Sequence, residues 1–220
     1  MEVVKTKQVE PLDIVRSFHN AFRRDISQID DSVFEIVRGG GDLTAVLDRL
    51  QIMGEILEIH AKVEETAVFP AIDNLAPLMA KPYIVDHREL DNMVSGLEAL
   101  RKTPDPLTTA RATAVLRSHL RIHLYKEDTQ LYPLLKERIT DSEQSSIVGL
   151  MSKTVPPDRY PTIIQWLFPL LVIDDRVVAT KVWMNEMPPQ AFDGLKQLIK
   201  KAVASNWIEL TQRIPGLDSE

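Results

Sequence analysis

The chain of 220 residues contains no cysteine. It can form no disulfide, offer no thiolate nucleophile and ligate no cysteine-held iron–sulfur cluster, so any metal it holds must sit on nitrogen and oxygen donors. It also lacks a basic excess: the formal net charge is -6, and lysine and arginine are scattered among the acids. Without a basic stripe to displace counterions from a phosphate backbone, nucleic acid is not an expected partner. Long apolar runs are missing too. The most apolar stretch, IIQWLFPLLVI at residues 163–173, is too short to span a bilayer and contains Pro169, so it reads as buried core. The N-terminal MEVVKTKQVEP has no apolar core of a signal peptide. Together these absences predict a cytoplasmic protein with no membrane partner.

Strand alternation is absent as well, and a helical period takes its place. Val15, Phe18, Phe22, Ile26, Ile29, Val33 and Val37 recur every three or four residues over 11–37, before Gly39-Gly40-Gly41 stops the helix and Asp42 caps the next. A second helix carries Val46, Leu50, Met53, Leu57, His60, Glu64 and Ala67, and it either ends near Pro70 or bends there and continues, termination being the expectation. Two more are expected over about 81–101 and 107–139, separated by TPDPL. Four long helices joined by short turns imply an all-α, up-down-up-down antiparallel four-helix bundle over residues 1–140. Residues 141–220 break into shorter, proline-punctuated helices that carry all three tryptophans. This C-terminal helical extension has its own small core or packs on the bundle, and its apolar faces offer a route to a homodimer or a protein partner.

One internal repeat stands out. HAKVEETAVFP at 60–70 and HLYKEDTQLYP at 123–133 share histidine, glutamate, threonine and proline at the same offsets. On a helix, residues four apart lie on one face, so His60 with Glu64 and His123 with Glu127 can each aim a nitrogen and a carboxylate at one point. Both pairs fall on the apolar stripe, where such groups are costly unless paired or metal-bound. The other two helices each put one histidine inward, His19 between Val15 and Phe22 and His87 between Ile84 and Leu90. Four of the five histidines and two carboxylates thus form a pseudo-twofold set suited to two metals. If both glutamates bridge, each metal receives two nitrogens and two oxygens. Two octahedral positions apiece remain, one for a shared oxo or hydroxo bridge and one for an outside molecule. Such donors fit iron or manganese, with zinc a further alternative, and redox chemistry favours iron. Glu65 and Asp128, one residue further on, are rotated by roughly 100° off the inward stripe and are expected to matter little. His119, one turn before His123, reads as a further ligand or a channel-lining histidine, and Asp91 as an extra ligand or a solvated carboxylate. Tyr125 reads as packing.

The motifs His-x-x-x-Glu-Glu-x-x-x-Phe-Pro and Asp-His-Arg-Glu-Leu resemble those of the hemerythrin-like family, the HHE cation-binding domains, over roughly residues 10–140. The resemblance implies a four-helix bundle around a non-haem di-iron centre, with His19, His60, Glu64, His87, His123 and Glu127 as metal ligands. It departs from the oxygen carriers, which have a histidine where Asp91 stands and take their last carboxylate at the position of Asp128. The four-histidine, two-glutamate set is more similar to di-iron proteins of iron–sulfur repair and nitric oxide stress, and to iron-sensing domains of ubiquitin-ligase components. The resemblance therefore implies two iron ions meeting a small diatomic or peroxide ligand in oxygen binding or in oxidative or nitrosative stress. The alternative is a non-enzymatic iron or oxygen sensor whose metal-dependent folding controls a partner.

Overall fold

The computed structural model describes residues 9–218. Residues 1–8, most of the segment read above for a leader, lie outside it. Among the described residues every regular element is a helix. Four long ones appear where the apolar period puts them: α1 (Asp13–Gly39), α2 (Thr44–Val63), α4 (Lys81–Ala99) and α5 (Pro106–Lys126), with α3 (Phe69–Leu75) and α6 (Tyr132–Arg138) prolonging α2 and α5. Local chemistry sets the boundaries. Gly40 and Gly41 take φ of 77° and 151°, values that L side chains rarely adopt, so α1 stops there. Asp42 accepts the Thr44 backbone N–H and Asp105 accepts that of Thr108, filling donors that the helix starts leave open.

Helices α1, α2, α4 and α5 contact one another in a closed ring, α1 on α2, α2 on α4, α4 on α5 and α5 on α1. Phe22, Ile26, Ile29, Leu50, Met53, Leu97, Leu116 and Leu120 fill the space between them and are fully buried. Each such side chain contributes about 1.5–3 kcal/mol of transfer free energy. Val37, expected on the inner stripe, is instead exposed at the end of α1. At the closest approach of α2 to α4 a side chain would not fit: a Cβ on Gly54 would lie 2.5 Å from Val94 Cγ1.

The prolines of the repeat do not end their helices. The turns Glu64–Val68 and Glu127–Leu131 widen to π-helical geometry, and the chain continues into α3 and α6. Phe69 N–H reaches back to the Glu64 carbonyl and Tyr132 N–H to that of Glu127, each five residues back. An extra residue in the turn absorbs the donor that proline lacks, so termination was the wrong expectation. The repeated threonines serve the same stretch, Thr66 Oγ1 donating to the Lys62 carbonyl and Thr129 Oγ1 to that of Tyr125.

Residues 141–218 form α7 (Asp141–Thr154), α8 (Tyr160–Leu170), α9 (Ile173–Glu186), α10 (Pro189–Ala202) and α11 (Trp207–Arg213). They share a continuous apolar core with α1 and α2. Most of the apolar run at 163–173 is buried as expected, Ile163, Ile164, Trp166, Leu167, Phe168 and Leu170 on α8 and Leu171 just after it, while Val172 is exposed, and no described helix is long and apolar enough to cross a membrane. Trp166 Nε1 donates to the fully buried Asp25 at 2.6 Å, and the Trp183 ring meets the Phe18 edge.

The Gly54 contact predicts a contrast between two equivalent changes. Gly54→Ala lowers the unfolding temperature, because about 1–3 kcal/mol of overpacking against Val94 exceeds the gain of about 1 kcal/mol in helix propensity. Gly96→Ala, with open space around it, raises it. Thermal unfolding of both variants checks this, and shifts of the same sign contradict it.

Candidate metal centre

Each of the four ring helices delivers its polar groups to one point. His19 projects from α1, His60 from α2, His87 from α4 and His123 from α5, and Glu64 and Glu127 stand at the first residue of the two widened turns. All six are buried, Glu64, Glu127 and His19 completely. Their donor atoms fall into two groups that share both carboxylates: His19, His60, Glu64 and Glu127, and Glu64, His87, His123 and Glu127, with the atoms of each group within 4.8 Å of one another.

The carboxylates divide their oxygens between the histidine pairs. Glu64 Oε1 lies 3.7 Å from His19 Nε2 and 3.4 Å from His60 Nε2, while its Oε2 lies 3.4 Å from His87 Nε2. Glu127 mirrors this, Oε2 being 3.5 Å from His19 Nε2 and Oε1 3.4 Å from His123 Nε2 and 3.9 Å from His87 Nε2. Four of these atoms, Glu64 Oε2, both Glu127 oxygens and His87 Nε2, are buried without a hydrogen-bond partner. Buried polar atoms are rarely left so. Converging on one point, they fit a cation that no side chain supplies.

Three of the histidines are held from behind. His19 Nδ1 donates to Asp128 at 2.9 Å, and Arg23 pairs with the same carboxylate. His87 Nδ1 donates to Glu65 at 3.1 Å, and His123 Nδ1 to Asp86 at 3.2 Å, where Lys126 also binds. An ionised carboxylate only accepts, so each of these rings carries a proton on Nδ1 and turns Nε2 toward the centre, where His19 Nε2 lies 3.2 Å from His60 Nε2. Burial works against ionisation of Asp128 and Asp86, but His19 and Arg23 in one case, and Lys126 and His123 in the other, hold both below the usual range. Among the described residues His60 has no carboxylate behind it. Phe18 stacks on its ring at 6.0 Å and Phe22 lies at 5.3 Å.

The electrostatics are those of crowded charge in a dry core. Burial pushes His60 down to about 3 and His123 to about 4, so both stay neutral. Burial also opposes protonation of His19 and His87, but the carboxylates of Asp128 and Glu64 beside His19, and of Glu64 and Glu65 beside His87, outweigh it and raise both. Burial of Glu64 is overcome by the histidines around it, which hold it well below the usual carboxylate range. Glu127 goes the other way, raised by burial and then by the charge of Glu64. Two carboxylates at one buried point cannot both ionise cheaply without a cation.

The structure brings together His19, His60, Glu64, His87, His123 and Glu127, and it leaves out His119 and Asp91. His119 is exposed beside Glu89, and Asp91 is exposed on α4. Tyr125, expected in packing, is 63% exposed. Glu65 and Asp128 are indeed turned from the centre, yet they are not idle, since each reaches the Nδ1 of a histidine on a neighbouring helix. Helical spacing reports only which way a side chain leaves its own helix; what stands there depends on packing. Asp86 and Tyr132 were given no role from sequence. Tyr132 is buried and its hydroxyl donates to Glu64 Oε1 at 2.6 Å. A signal for it existed, since the repeat places Phe69 at the equivalent position.

A divalent cation should therefore raise the unfolding temperature of the chelator-treated chain, by linkage worth about 2.7 kcal/mol at a hundred times the Kd. Glu65→Ala and Asp128→Ala each weaken cation affinity by about 10–100-fold, the cost of losing a carboxylate behind a ligating histidine, and Asp91→Ala leaves it unchanged. Calorimetric titration checks all three; equal affinities contradict the role given to the outer carboxylates.

Comparison with known proteins bears on the same residues. The family model for the hemerythrin HHE cation binding domain matches residues 10–135. Zinc finger protein BRUTUS of Arabidopsis thaliana is 24% identical over 176 residues, covering 77% of this chain and 14% of that protein. Two BRUTUS-like zinc finger proteins of the same plant are 19% and 21% identical, covering 92% and 80% of this chain and 17% and 16% of their own lengths. The chain thus spans about a sixth of the length of these curated relatives. Lacking cysteine, it supplies no cysteine ligand for a zinc finger. No solved structure matches it at a significant level.

Proposed function

Because this chain belongs to the family of hemerythrin HHE cation-binding domains, we propose that His19, His60, Glu64, His87, His123 and Glu127 hold two iron ions at which a small oxidant such as dioxygen, peroxide or nitric oxide binds or is reduced. The observation that carries this reading is the sharing of Glu64 and Glu127 by two histidine pairs, one oxygen toward each pair. Donors of nitrogen and oxygen without sulfur suit iron, with manganese and zinc as the alternatives. On the same reading the closed ring of α1, α2, α4 and α5 is an up-down-up-down antiparallel bundle. Residues 1–140 supply the centre, residues 141–220 form a helical extension of it, and the protein works in the cytoplasm.

Iron held by these residues would supply one-electron chemistry and a place for a small ligand. The chain's own part is to prepare the place. Asp128, Glu65 and Asp86 fix three imidazoles with Nε2 inward, Tyr132 keeps its hydroxyl proton on Glu64 Oε1, and Phe18, Phe22 and Phe69 wall the imidazoles from water. Two histidines and both glutamates would face each ion, an even division of the chain's donors that favours reaction over reversible carriage.

A second reading, a non-enzymatic sensor, is supported by α7, which packs on the widened turn Glu64–Val68. Filling the centre then reaches the C-terminal helices, which present a surface to a protein partner or a second copy. The alignments with the much longer plant proteins extend over most of this chain, as a module inside a larger protein would. Anaerobic loading with ferrous iron followed by rapid mixing with dioxygen, peroxide and nitric oxide separates the two. The oxidant reading predicts a changed absorption spectrum with at least one of the three. A loaded centre unchanged by all three overturns it and leaves the sensor.

A further inference from the structure

The internal repeat matches residues of the two halves of the centre one to one, and His19 on Asp128 answers to His87 on Glu65, so the places where the match fails carry information. His19 corresponds to His87, hence Phe18 to Asp86; His60 corresponds to His123, hence Phe69 to Tyr132. The first mismatch leaves His60 without a carboxylate. Where Asp86 accepts the His123 Nδ1 proton at 3.2 Å, Phe18 offers only a stacked ring to His60. The second mismatch adds a donor to one carboxylate oxygen. Tyr132 donates to Glu64 Oε1, whereas Phe69 has no hydroxyl to give to Glu127, and both Glu127 oxygens have no hydrogen-bond partner.

Both departures fall on the same side. Glu64 Oε1 is the oxygen that faces His19 and His60. A hydrogen bond into it draws off electron density that it would otherwise donate to a cation, and an imidazole without a carboxylate behind it is a weaker base and a less fixed ligand. The pair His87 and His123, by contrast, has a carboxylate behind each ring, Glu65 and Asp86. The environment differs in the same sense. An apolar cavity of about 60 Å³, lined by Phe18, Ile56, Val148, Met151 and Trp183 among others, lies against His60 where α7 and α9 cover α1 and α2. Low-polarity surroundings disfavour net charge.

We propose that the two cation positions are unequal by construction: the His87–His123 position binds first and holds its ion, and the His19–His60 position binds second and is the one that empties. Asp86 and Tyr132 are the positioning residues that set the difference, Asp86 by strengthening one position and Tyr132 by weakening the other. The inference rests on the reading of the centre as a two-cation site and adds an order of loading to it. In a sensor, the labile position is the one whose occupancy follows supply. In an oxidant-binding centre, it is the position with the more loosely held ion, on the side covered by the C-terminal helices.

The test is an anaerobic calorimetric titration of the full chain with ferrous iron, repeated with cobalt, whose absorption reports each step. Wild type shows two steps separated by about 10–100-fold, the effect of one carboxylate behind a histidine. Asp86→Asn keeps the shape and an acceptor but removes the charge; it weakens the first step by about tenfold and brings the two together. Tyr132→Phe strengthens the second step and leaves the first unchanged, which a merely structural tyrosine would not do. Two ions bound in a single step by wild type, or Asp86→Asn acting on the second step alone, overturns the inference while the two-cation reading survives. A wild-type chain that binds no cation, or only one, removes that reading and the inference with it.

Discussion

Six ionisable groups buried at one point among apolar helices set the terms for the rest of this molecule. In a dry core, carboxylates and imidazoles are stable only if something answers their charge, and among the described residues no lysine or arginine reaches Glu64 or Glu127. The outer groups are arranged around that need. Asp128 with Arg23 and Asp86 with Lys126 hold two of the imidazoles from solvent-facing positions, where a charge is cheaper to keep. The widened turns follow from it as well, since they carry each buried glutamate and, one residue on, the acid that holds a histidine of the neighbouring helix. The C-terminal helices close the side on which the His60 ring is backed by Phe18 and aliphatic side chains.

Much of this was legible in the residues, for reasons that can be named. The apolar period places α1, α2, α4 and α5 within a few residues, because a helix that buries one face writes that face every three or four positions. The inward histidines and glutamates were legible because polar residues on an apolar stripe demand an explanation. What stayed hidden depends on neighbours. Glu65 and Asp128 leave their own helices off the inward stripe, and only the packing of α2 on α4 and of α5 on α1 brings them to His87 and His19. Proline predicts a break, yet Pro70 and Pro133 are accommodated by an extra residue in the turn, a solution that local propensity does not reveal. The role of Tyr132 was written in the repeat as a difference, Phe against Tyr, and comparing the copies for what they share hides it.

The repeat is thus a symmetric frame with two deliberate-looking exceptions, Phe18 against Asp86 and Tyr132 against Phe69. A symmetric pair of ions would need neither. Their placement on one side links the chemistry of the centre to the face that α7, α8 and α9 cover, and so connects a buried site to the C-terminal helices outside the ring of four.

The central claim is that two ions sit between the histidine pairs and share both glutamates. Crystals of the iron-loaded chain, measured at the iron absorption edge, test it without reference to activity. The account predicts two anomalous peaks about 3.5–4 Å apart, the usual spacing of paired metal sites, one beside His19 and His60 and the other beside His87 and His123, with Glu64 and Glu127 between them. A single peak, or peaks at His119 or Asp91 with the six buried groups left apart from metal, would contradict it.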